Sequence, residues 1–476
     1  MNTSTKRIEN NKNFDRELDF IENLDSLNDL EIRIIEYKDI KASISRNQKG
    51  FKIDINSRLI EELESDIIFS FILNGNTYET KKIGDTSHST ELKGDEYVSF
   101  LTTIEINSFC SKHFNSKDLF KAFFIVDLKE INTFHHQFET VTHTRNNTEY
   151  FYDCLRINLN EKTFDITQLK NGTKGFYVFE CLEEQNFEDF FKACFSIQQA
   201  IGFINGLMVG GEEFIFDCSG KLYYTNYIRP TIKGMYSPII TNPYSYPDIE
   251  RKIAEKFKNK LTRISLDNLS NLVHKIHSEP EFSVAILVIL EATSISSLLI
   301  IPSSFAVIIE LLAKHLSVEE CGLVTPISNN KLQKKIIKEL HNVIDNNSKY
   351  LNNESILKLK RRLNDINKPI NKQHLTNNDK LTRIFEQLGI NLTLQDISII
   401  KHRNDLLHGN ILLKTNDNRN DGKTNLYMAY VSAKLFTLIS KLILKSIGYN
   451  GYVYNQAKYL AKSLNIKADK QYFEKI

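Results

Sequence analysis

The stretch RPTIKGMYSPIITNPYSYP, at residues 229–247, divides this sequence into two parts. No proline precedes it, and half of the chain's eight prolines lie within it, at Pro230, Pro238, Pro243 and Pro247. Proline fixes its own φ angle and restricts the residue before it to extended backbone, so regular helices and strands rarely continue through such a cluster. We therefore predict domains at 1–229 and 248–476, joined by a proline-rich connector at 230–247.

The charge balance changes sign near the same place. Residues 1–250 contain 27 Lys and Arg against 39 Asp and Glu, whereas residues 251–476 contain 34 against 20, which gives net charges of −12 and +14. A chain of 476 residues is also long for a single domain. The basic second part suits a polyanion such as nucleic acid. Surface lysines that only keep a domain soluble would produce the same excess, so charge alone leaves both interpretations open.

The part before the connector has the pattern of a β-rich α+β domain. Short runs of β-branched and aromatic residues are separated by polar turns, which is typical of strands. We predict strands at 31–37, 51–55, 66–73, 77–83, 97–106, 120–128, 150–158 and 175–179. An Asn-Gly pair at 74–75 and a Ser-Gly pair at 219–220 indicate hairpins. Asn186 and Gly206 suit the start and the end of one amphipathic helix.

The part after the connector has the 3.6-residue periodicity of helices. We predict helices at 248–260, 283–297, 303–315, 331–344, 355–366, 379–388, 393–408, 425–447 and 452–464. Thr393 and Asp396 resemble a capping box, in which two polar side chains satisfy free N–H groups at a helix start. The sequence therefore predicts an α+β chain of two domains, in which a β-rich N-terminal domain is followed by an all-α helical bundle.

Several features predict a cytoplasmic protein. The first 13 residues are polar and lack the apolar core of a secretion signal. The most apolar region, 282–312, is interrupted by Glu291, Pro302 and Glu310, which favours a buried helical pair over a membrane span. The six cysteines form no C-x-x-C pair, which indicates free thiols in a reducing compartment. We expect no cofactor and no bound metal.

The stretch RNDLLHG, at residues 403–409, combines Arg403 with His408. An arginine is a permanent cation whose N–H donors fit phosphate oxygens, and a histidine can accept and donate a proton near pH 7. Five residues of helix turn through about 140°, so the two side chains would converge only if the helix ended between them or a second copy supplied a facing pair. In the structural alternative, Arg403 caps the helix or pairs with Asp405, and His408 ends it.

This stretch resembles the signature of the HEPN superfamily, which has an arginine, then a polar residue, then a histidine after four to six intervening positions. The order of a β-rich domain, a connector and a basic helical domain is similar to that of prokaryotic HEPN proteins of anti-phage abortive infection, the ApeA-like group. The resemblance implies a metal-independent endoribonuclease that cleaves RNA by 2′-hydroxyl transesterification. In it, Arg403 would stabilise charge on phosphorus, Asn404 would orient the histidine or a phosphate oxygen, and His408 would be base or acid.

The resemblance also implies partners. HEPN domains pair as a family, so we expect a homodimer through the helical domain, with a composite site at the two-fold interface. The RNA substrate would be the second partner. The acidic N-terminal domain would sense a phage-derived trigger and could cover the basic site until the trigger arrives.

Two basic runs in the helical part are candidate RNA-binding residues. They are Lys331, Lys334, Lys335, Lys338, Lys358, Lys360, Arg361 and Arg362. Contacts between these side chains and phosphates would make RNA binding fall steeply with salt. A solvated helix face explains the same residues, and for any single lysine it is the simpler interpretation.

Two other classes of function remain open. A HEPN-like domain without catalysis would bind RNA or a partner protein. A different enzyme would have its site in the N-terminal domain. There, metal-ligating side chains occur at His135, His136, Glu139 and His143, although strands are expected in that region and the spacing matches no zinc pattern.

Overall fold

A computed structural model of the chain describes residues 14–28, 30–34, 40–47, 50–55, 68–73, 75–93, 96–112, 117–130, 134–145, 148–234, 236–246, 248–295, 297–316, 323–324, 327, 329–365, 370–371, 377–408, 421–466 and 471–476. The N-terminal half is dominated by antiparallel strands and the C-terminal half by helices. The predicted α+β class, with a β-rich part followed by a helical part, is therefore confirmed.

Most strands precede the helical half. They are β1 (Leu30–Ile34), β2 (Ile40–Asn47), β3 (Gly50–Ile55), β4 (Ser70–Leu73), β5 (Asn76–Lys93), β6 (Glu96–Ser111), β7 (Lys117–Asp118), β8 (Lys121–Asp127), β9 (Val141–Arg145), β10 (Thr148–Leu159), β11 (Lys162–Asn171), β12 (Lys174–Cys181), β13 (Gln185–Asn186), β14 (Leu207–Met208), β15 (Glu212–Phe216), β16 (Leu222–Tyr227) and β17 (Ile232–Lys233). Short strands in the helical half are β18 (Leu323–Val324), β19 (Ile370–Asn371), β20 (Tyr452–Tyr454) and β21 (Phe473–Lys475).

Two helices accompany the strands, and the others follow the connector. The first two are α1 (Asp15–Asp25) and α2 (Phe187–Asn205). The later helices are α3 (Arg251–Phe257), α4 (Leu266–Ser278), α5 (Pro280–Ile295), α6 (Ile300–Leu316), α7 (Asn330–Asn346), α8 (Asn353–Asn364), α9 (Asn377–Gln387), α10 (Leu394–Lys401), α11 (Arg403–Leu407), α12 (Asp421–Ser446) and α13 (Ala457–Ser463).

The first six strands close into a ring. β3 pairs with β2 along one edge and with β6 along the other, where Phe51 lies opposite Ile106. The order β3-β2-β1-β4-β5-β6 therefore returns to its start, which removes the two open strand edges that a flat sheet of these strands would expose. Phe51, Phe71 and Tyr78 pack edge-to-face around Phe109 and form a buried aromatic cluster.

The sheet continues beyond the ring, and α1 lies against one of its faces. β6 also pairs with β16, and the order then runs through β15, β8, β12, β11 and β10 to β9. Glu17 of α1 accepts from Lys121 Nζ at 2.7 Å, and both side chains are buried. Asp25 forms ion pairs with Lys174 and, at 3.0 Å, with Arg46. These contacts hold α1 to strands of both the ring and the open sheet.

The other face of the sheet carries α2 and then the helical half. The Asn186 side chain caps α2, and Gly206 ends it with a φ of 71°, both as predicted. Helix α4 packs on α2 and on β10, where the Ser270 hydroxyl accepts the Asn158 N–H at 3.1 Å. A single hydrophobic cluster extends from these strands through α2 to α5, α6 and α12. The boundary at 230–247 therefore separates two kinds of secondary structure, but one large hydrophobic cluster spans it.

The proline-rich segment is itself packed. Its strand β17 pairs with β14, and the side chains of Ile239 and Ile240 are buried. Ser237 Oγ accepts from the amide of Gln137 at 2.9 Å, and Asn242 caps a short 3-10 turn, Pro243–Ser245. The segment follows the surface of both halves rather than forming a free linker.

Helix α12 is the central element of the helical half. Its 26 residues pack against α6, α10 and α13, and Val431, Leu438, Ile439, Leu442 and Ile443 are fully buried. Within the described chain, α12 is also the helix that by length and composition could cross a membrane. However, 83% of its most apolar window is buried inside the protein, as in the core helix of a soluble protein.

Three predicted helices differ from the structure. The helix predicted at 393–408 is divided into α10 and α11 at His402. The region predicted as a helix at 452–464 begins with β20, because pairing with β21 replaces helical hydrogen bonds there. Helix α3 begins at Arg251 rather than at 248, and no side chain caps it. Helices α1 and α4, strands β2, β9 and β11, and several strands of two or three residues were not predicted.

Candidate functional site

Helix α10 is anchored at its first turn by a capping box and a buried ion pair. The Thr393 hydroxyl accepts the Asp396 N–H at 3.2 Å, and the Asp396 carboxylate accepts the Thr393 N–H at 3.1 Å, as predicted. The second Asp396 oxygen accepts from Lys434 Nζ of α12 at 2.8 Å, with only 1% and 4% of the two side chains exposed. Because loss of either partner would leave a buried charge, this pair holds α10 against α12.

His402 separates α10 from α11. Its N–H bonds to the carbonyl of Ile399, three residues back rather than four, which is a local 3-10 step. The Leu406 N–H then bonds to the His402 carbonyl at 2.9 Å, and the helical path resumes. In α11 only Leu406 is buried, so the polar residues of the RNDLLHG stretch lie at the protein surface.

Arg403 is held by two acceptors. Its Nε donates to Glu310 Oε2 at 3.1 Å, and its Nη2 forms an ion pair with the same oxygen. Its Nη1 donates to Asn404 Oδ1 at 2.8 Å. Glu310 lies on α6, 93 residues earlier in the chain. The structure thus brings Arg403 and Asn404 together and adds a carboxylate that was not predicted to belong to the site.

His408 follows α11 directly and is exposed. Its N–H bonds to the Asn404 carbonyl at 3.1 Å, and its φ of −93° and ψ of 6° keep it close to the helical path. The side chains of Arg403 and His408 therefore leave α11 about 140° apart. No hydrogen bond or ion pair between these two side chains occurs among the contacts of the described residues. Gly409 lies outside the described residues.

A second imidazole lies directly beside Arg403. His402 Nε2 is 3.0 Å from the hydroxyl of Tyr427 on α12, and either atom is the donor according to the imidazole tautomer. Burial lowers the pKa of His402, against a smaller opposing effect of the Asp405 carboxylate. Burial likewise raises the pKa of Tyr427. At neutral pH, this pair is therefore a neutral hydrogen-bonded contact between the break in the helix and α12.

Helix α6 contacts α11 a second time, through Ser303, and exposes apolar side chains near this contact. Ser303 Oγ donates to the Leu406 carbonyl at 3.3 Å, seven residues before Glu310 on the same helix. Between these two contacts lies Val307, which is 47% exposed, and Leu407 of α11 is 41% exposed. Ile300, two turns before Val307, is 48% exposed. Exposed apolar side chains thus lie beside the Arg403 contact.

Residues 323–371, which we call the arm, bring the two basic runs together. β18 pairs with β19, with Leu323 opposite Asn371, so the two ends of the arm are adjacent. Helices α7 and α8 pack on each other, and no described residue of either helix is buried. Residues 330–364 contain nine Lys and Arg against three Asp and Glu, a net charge of +6. The arm is therefore a basic helical hairpin with almost no core of its own.

All eight predicted RNA-binding residues lie on the arm. Lys360 is half-buried, and the other seven are exposed. Lys360 Nζ bonds to Asp345 of α7 at 2.6 Å, and Lys358 Nζ bonds to Glu354 at 2.6 Å. Such solvent-exposed ion pairs contribute about 0–1 kcal/mol, so these lysines can exchange a carboxylate for a phosphate at little cost.

The alternative metal-ligating residues lie at the edge of the N-terminal sheet. His135 and His136 belong to a 3-10 turn rather than to the expected strand, with ring centroids 4.4 Å apart. The side chain of His143 lies outside the described residues. Among the side chains that are described, no three His, Cys, Asp or Glu residues form a group that could hold a metal ion.

Three residues around α11 were missed, although two had a signal in the sequence. Glu310 is an acidic residue in an otherwise apolar helix, and His402 directly precedes the arginine of the RNDLLHG stretch. Tyr427 has no such signal, because its contact with His402 spans 25 residues, including a segment outside the described chain.

Comparisons of this chain with protein-family models, curated proteins and solved structures found no match.

Proposed function

We propose that this chain is a metal-independent endoribonuclease of the HEPN type, which acts in the cytoplasm in anti-phage defence by abortive infection. One observation carries the proposal: a short surface helix begins with Arg403, whose guanidinium is bound by Glu310 and Asn404, and is directly followed by the exposed imidazole of His408. A cation for phosphate oxygens and a group that exchanges protons near pH 7 are together sufficient for metal-free cleavage of RNA.

The proposed reaction is a transesterification. An imidazole takes the proton of an RNA 2′-hydroxyl, and the 2′-oxygen forms a bond to the adjacent phosphorus. The bond from phosphorus to the 5′-oxygen breaks, and this oxygen receives a proton from an acid. The products are a 2′,3′-cyclic phosphate and a 5′-hydroxyl, and DNA, which lacks the 2′-hydroxyl, is not cleaved. His408 acts as base or acid, and Arg403 stabilises the charge on the pentacovalent phosphorus.

A homodimer would complete this site. In one chain, the Arg403 and His408 side chains leave α11 about 140° apart, whereas a two-fold contact through α11 would direct the arginine of one copy toward the histidine of the other. Ile300, Val307 and Leu407 support this arrangement, because an interface at α6 and α11 would bury their exposed apolar surface. Two histidines at one phosphodiester would also supply both a base and an acid.

The arm would guide RNA to the site. Its net charge of +6 and its exposed basic side chains suit a polyanion, and α7 and α8 place both basic runs on one hairpin. An arm that binds phosphates without reading bases would raise affinity for any RNA, while α11 would carry out the chemistry.

The N-terminal half would sense a phage-derived trigger and restrain the nuclease. Its net charge of −12 complements the basic helical half. A truncated protein cannot test this regulation. Because one hydrophobic cluster spans both halves, a fragment that lacks residues 1–245 would lose the strands and α2 against which α4 and α5 pack. Tests of regulation therefore require the full chain, with phage infection as the source of the trigger.

The test of the proposed function uses the full chain with RNA in the presence of EDTA. Wild-type protein is expected to release fragments with 2′,3′-cyclic phosphate ends, and Arg403→Ala and His408→Ala are each expected to slow cleavage by orders of magnitude. Arg263→Ala and His274→Ala are matched controls, since both residues are exposed and lie on other parts of the helical half. Cleavage that requires Mg²⁺, or that survives both α11 substitutions, would refute the proposal.

The second candidate is a non-catalytic HEPN-like module that binds RNA or a partner protein. It is favoured by one observation, the carboxylate of Glu310 that already occupies part of the Arg403 guanidinium. The same assay separates the two, provided that it is repeated with extracts of phage-infected cells that supply a trigger. RNA binding without cleavage under both conditions supports the module.

A further inference from the structure

The contacts of Arg403 are unevenly distributed over its guanidinium. Glu310 Oε2 accepts from both Nε and Nη2, which together form one lateral edge of the group. Asn404 Oδ1 accepts from Nη1 on the other side. A guanidinium has five N–H groups. The described contacts use three of them and leave one on each of the two terminal nitrogens.

These two remaining N–H groups lie on the two terminal nitrogens of the guanidinium, at the end of its fork of donors, which suits the oxygens of a phosphate. We propose that Glu310 is a positioning residue, which holds Arg403 so that this end faces the scissile phosphate. The proposal rests on the proposed endoribonuclease function and names the residue that prepares its phosphate-binding group.

Helix α6 is a rigid base for this role. Phe305, Ile308, Ile309 and Leu312 bury one side of α6 in the core, whereas Glu310 lies on the opposite, partly exposed side. The same helix contacts α11 through Ser303 and the Leu406 carbonyl. One helix therefore fixes both the backbone of α11 and the orientation of its arginine. An arginine side chain without such a partner samples many rotamers, and few of them direct the fork at one point.

Glu310 could act on cleavage by orienting Arg403 or only through its negative charge, and removal of that charge gives a different result in each case. Its carboxylate is 49% exposed beside the proposed phosphate site and repels a polyanion. If Glu310 acted only through its charge, its neutralisation would raise both RNA affinity and turnover. If it positions Arg403, its neutralisation leaves RNA affinity unchanged or higher while turnover falls, because a small displacement of a catalytic group costs orders of magnitude in rate.

The experiment measures kcat and KM for RNA cleavage, and the affinity for a non-cleavable oligonucleotide with a 2′-deoxy position at the cut site. Wild type, Glu310→Gln, Glu310→Asp, Arg403→Ala and the Arg403→Ala/Glu310→Gln double variant are compared, with Glu386→Gln as an exposed acidic control. Thermal melting confirms that each variant folds. We expect kcat to fall roughly tenfold or more in Glu310→Gln, with affinity not reduced, and to fall less in Glu310→Asp.

The double variant tests whether Glu310 acts through Arg403. Positioning predicts that Arg403→Ala and the double variant have equal kcat. Two results would overturn the positioning role: turnover in Glu310→Gln at or above the wild-type value, or a further loss of turnover in the double variant. If the wild type still shows Arg403-dependent cleavage, either result leaves the proposed nuclease function standing. A wild type without Arg403-dependent cleavage overturns the nuclease, and the role of Glu310 with it.

Discussion

Helix α12 and the arm are two helical regions that both contain lysines but occupy opposite positions in the structure. α12 lies in the hydrophobic cluster that spans both halves, and two of its four lysines, Lys434 and Lys441, are buried in ion pairs with Asp396 and Glu474. In the arm, no described residue of α7 or α8 is buried. The comparison shows that α12 is packed in the core and supports α10, whereas the arm is exposed and has few packing contacts of its own.

The largest effect is expected at the buried pair between α10 and α12. In Lys434→Met the carboxylate of Asp396 would remain buried without its cation. We therefore expect the free energy of unfolding to fall by about 3–5 kcal/mol. Chemical denaturation measures this loss. Adding Asp396→Asn should restore part of it, because both charges are then absent. A Lys434→Met protein as stable as the wild type would mean that α10 is not held by this contact.

A matched pair of alanine substitutions compares packing in the two regions. Ile439 of α12 is fully buried, and we expect Ile439→Ala to cost about 2–5 kcal/mol, because less apolar surface is buried and a cavity remains. Leu332 of the arm is 49% exposed, and Leu332→Ala should change stability by less than about 0.5 kcal/mol. Denaturant unfolding of both variants gives the comparison. Equal losses would show that a partner, such as a second copy, covers the arm in solution.

The core also contains a carboxylate that faces no cation among the described residues. Glu213 of β15 is buried beside the amide of Asn226, and burial raises its pKa from 4.5 to about 8. Between these values the folded state keeps a proton that the unfolded state has released. The stabilising contribution is therefore complete below pH 4.5 and disappears as the pH rises through 8.

Glu213→Gln should remove this pH dependence. We expect the wild type to lose on the order of a few kcal/mol of stability between about pH 5 and about pH 8.5, and the variant to lose much less, since the amide does not titrate. Denaturation at a series of pH values measures both slopes. Equal slopes for the two proteins would show that Glu213 ionises normally in the fold.

The smallest change in stability is expected from the arm's charges. Substitution of Lys334, Lys335 and Lys338 by Gln removes exposed cations from α7, so stability should change by less than about 0.5 kcal/mol. RNA affinity should fall, and the slope of log affinity against log salt should decrease by up to about 0.7 for each phosphate that the variant no longer neutralises. Binding titrations at several salt concentrations measure this slope. An unchanged slope would exclude the arm from RNA binding.

Elements that depend on neighbouring residues could be predicted from the sequence. The caps of α2 at Asn186 and Gly206 and the capping box of Thr393 and Asp396 involve residues at most four positions apart. The helical conformation of Arg403 and Asn404 was predicted for the same reason, and His408 directly follows their helix. The division of that helix at His402 was missed, because it accompanies contacts with α6 and α12 that no local pattern encodes.

The sequence alone determined the fold class, the change from strands to helices near residue 235, the basic character of the helical half and the residues of the α11 stretch. Only the tertiary structure decided that β3 closes on β6, that one hydrophobic cluster spans both halves, that two basic runs form one arm, and that Glu310 binds Arg403. The physical reason is the distance along the chain. Caps and periodicity arise from residues within a turn or two, whereas the β3–β6 pairing and the Glu310–Arg403 contact join residues about 50 to 100 positions apart. Which surfaces meet is settled by the packing of the whole chain.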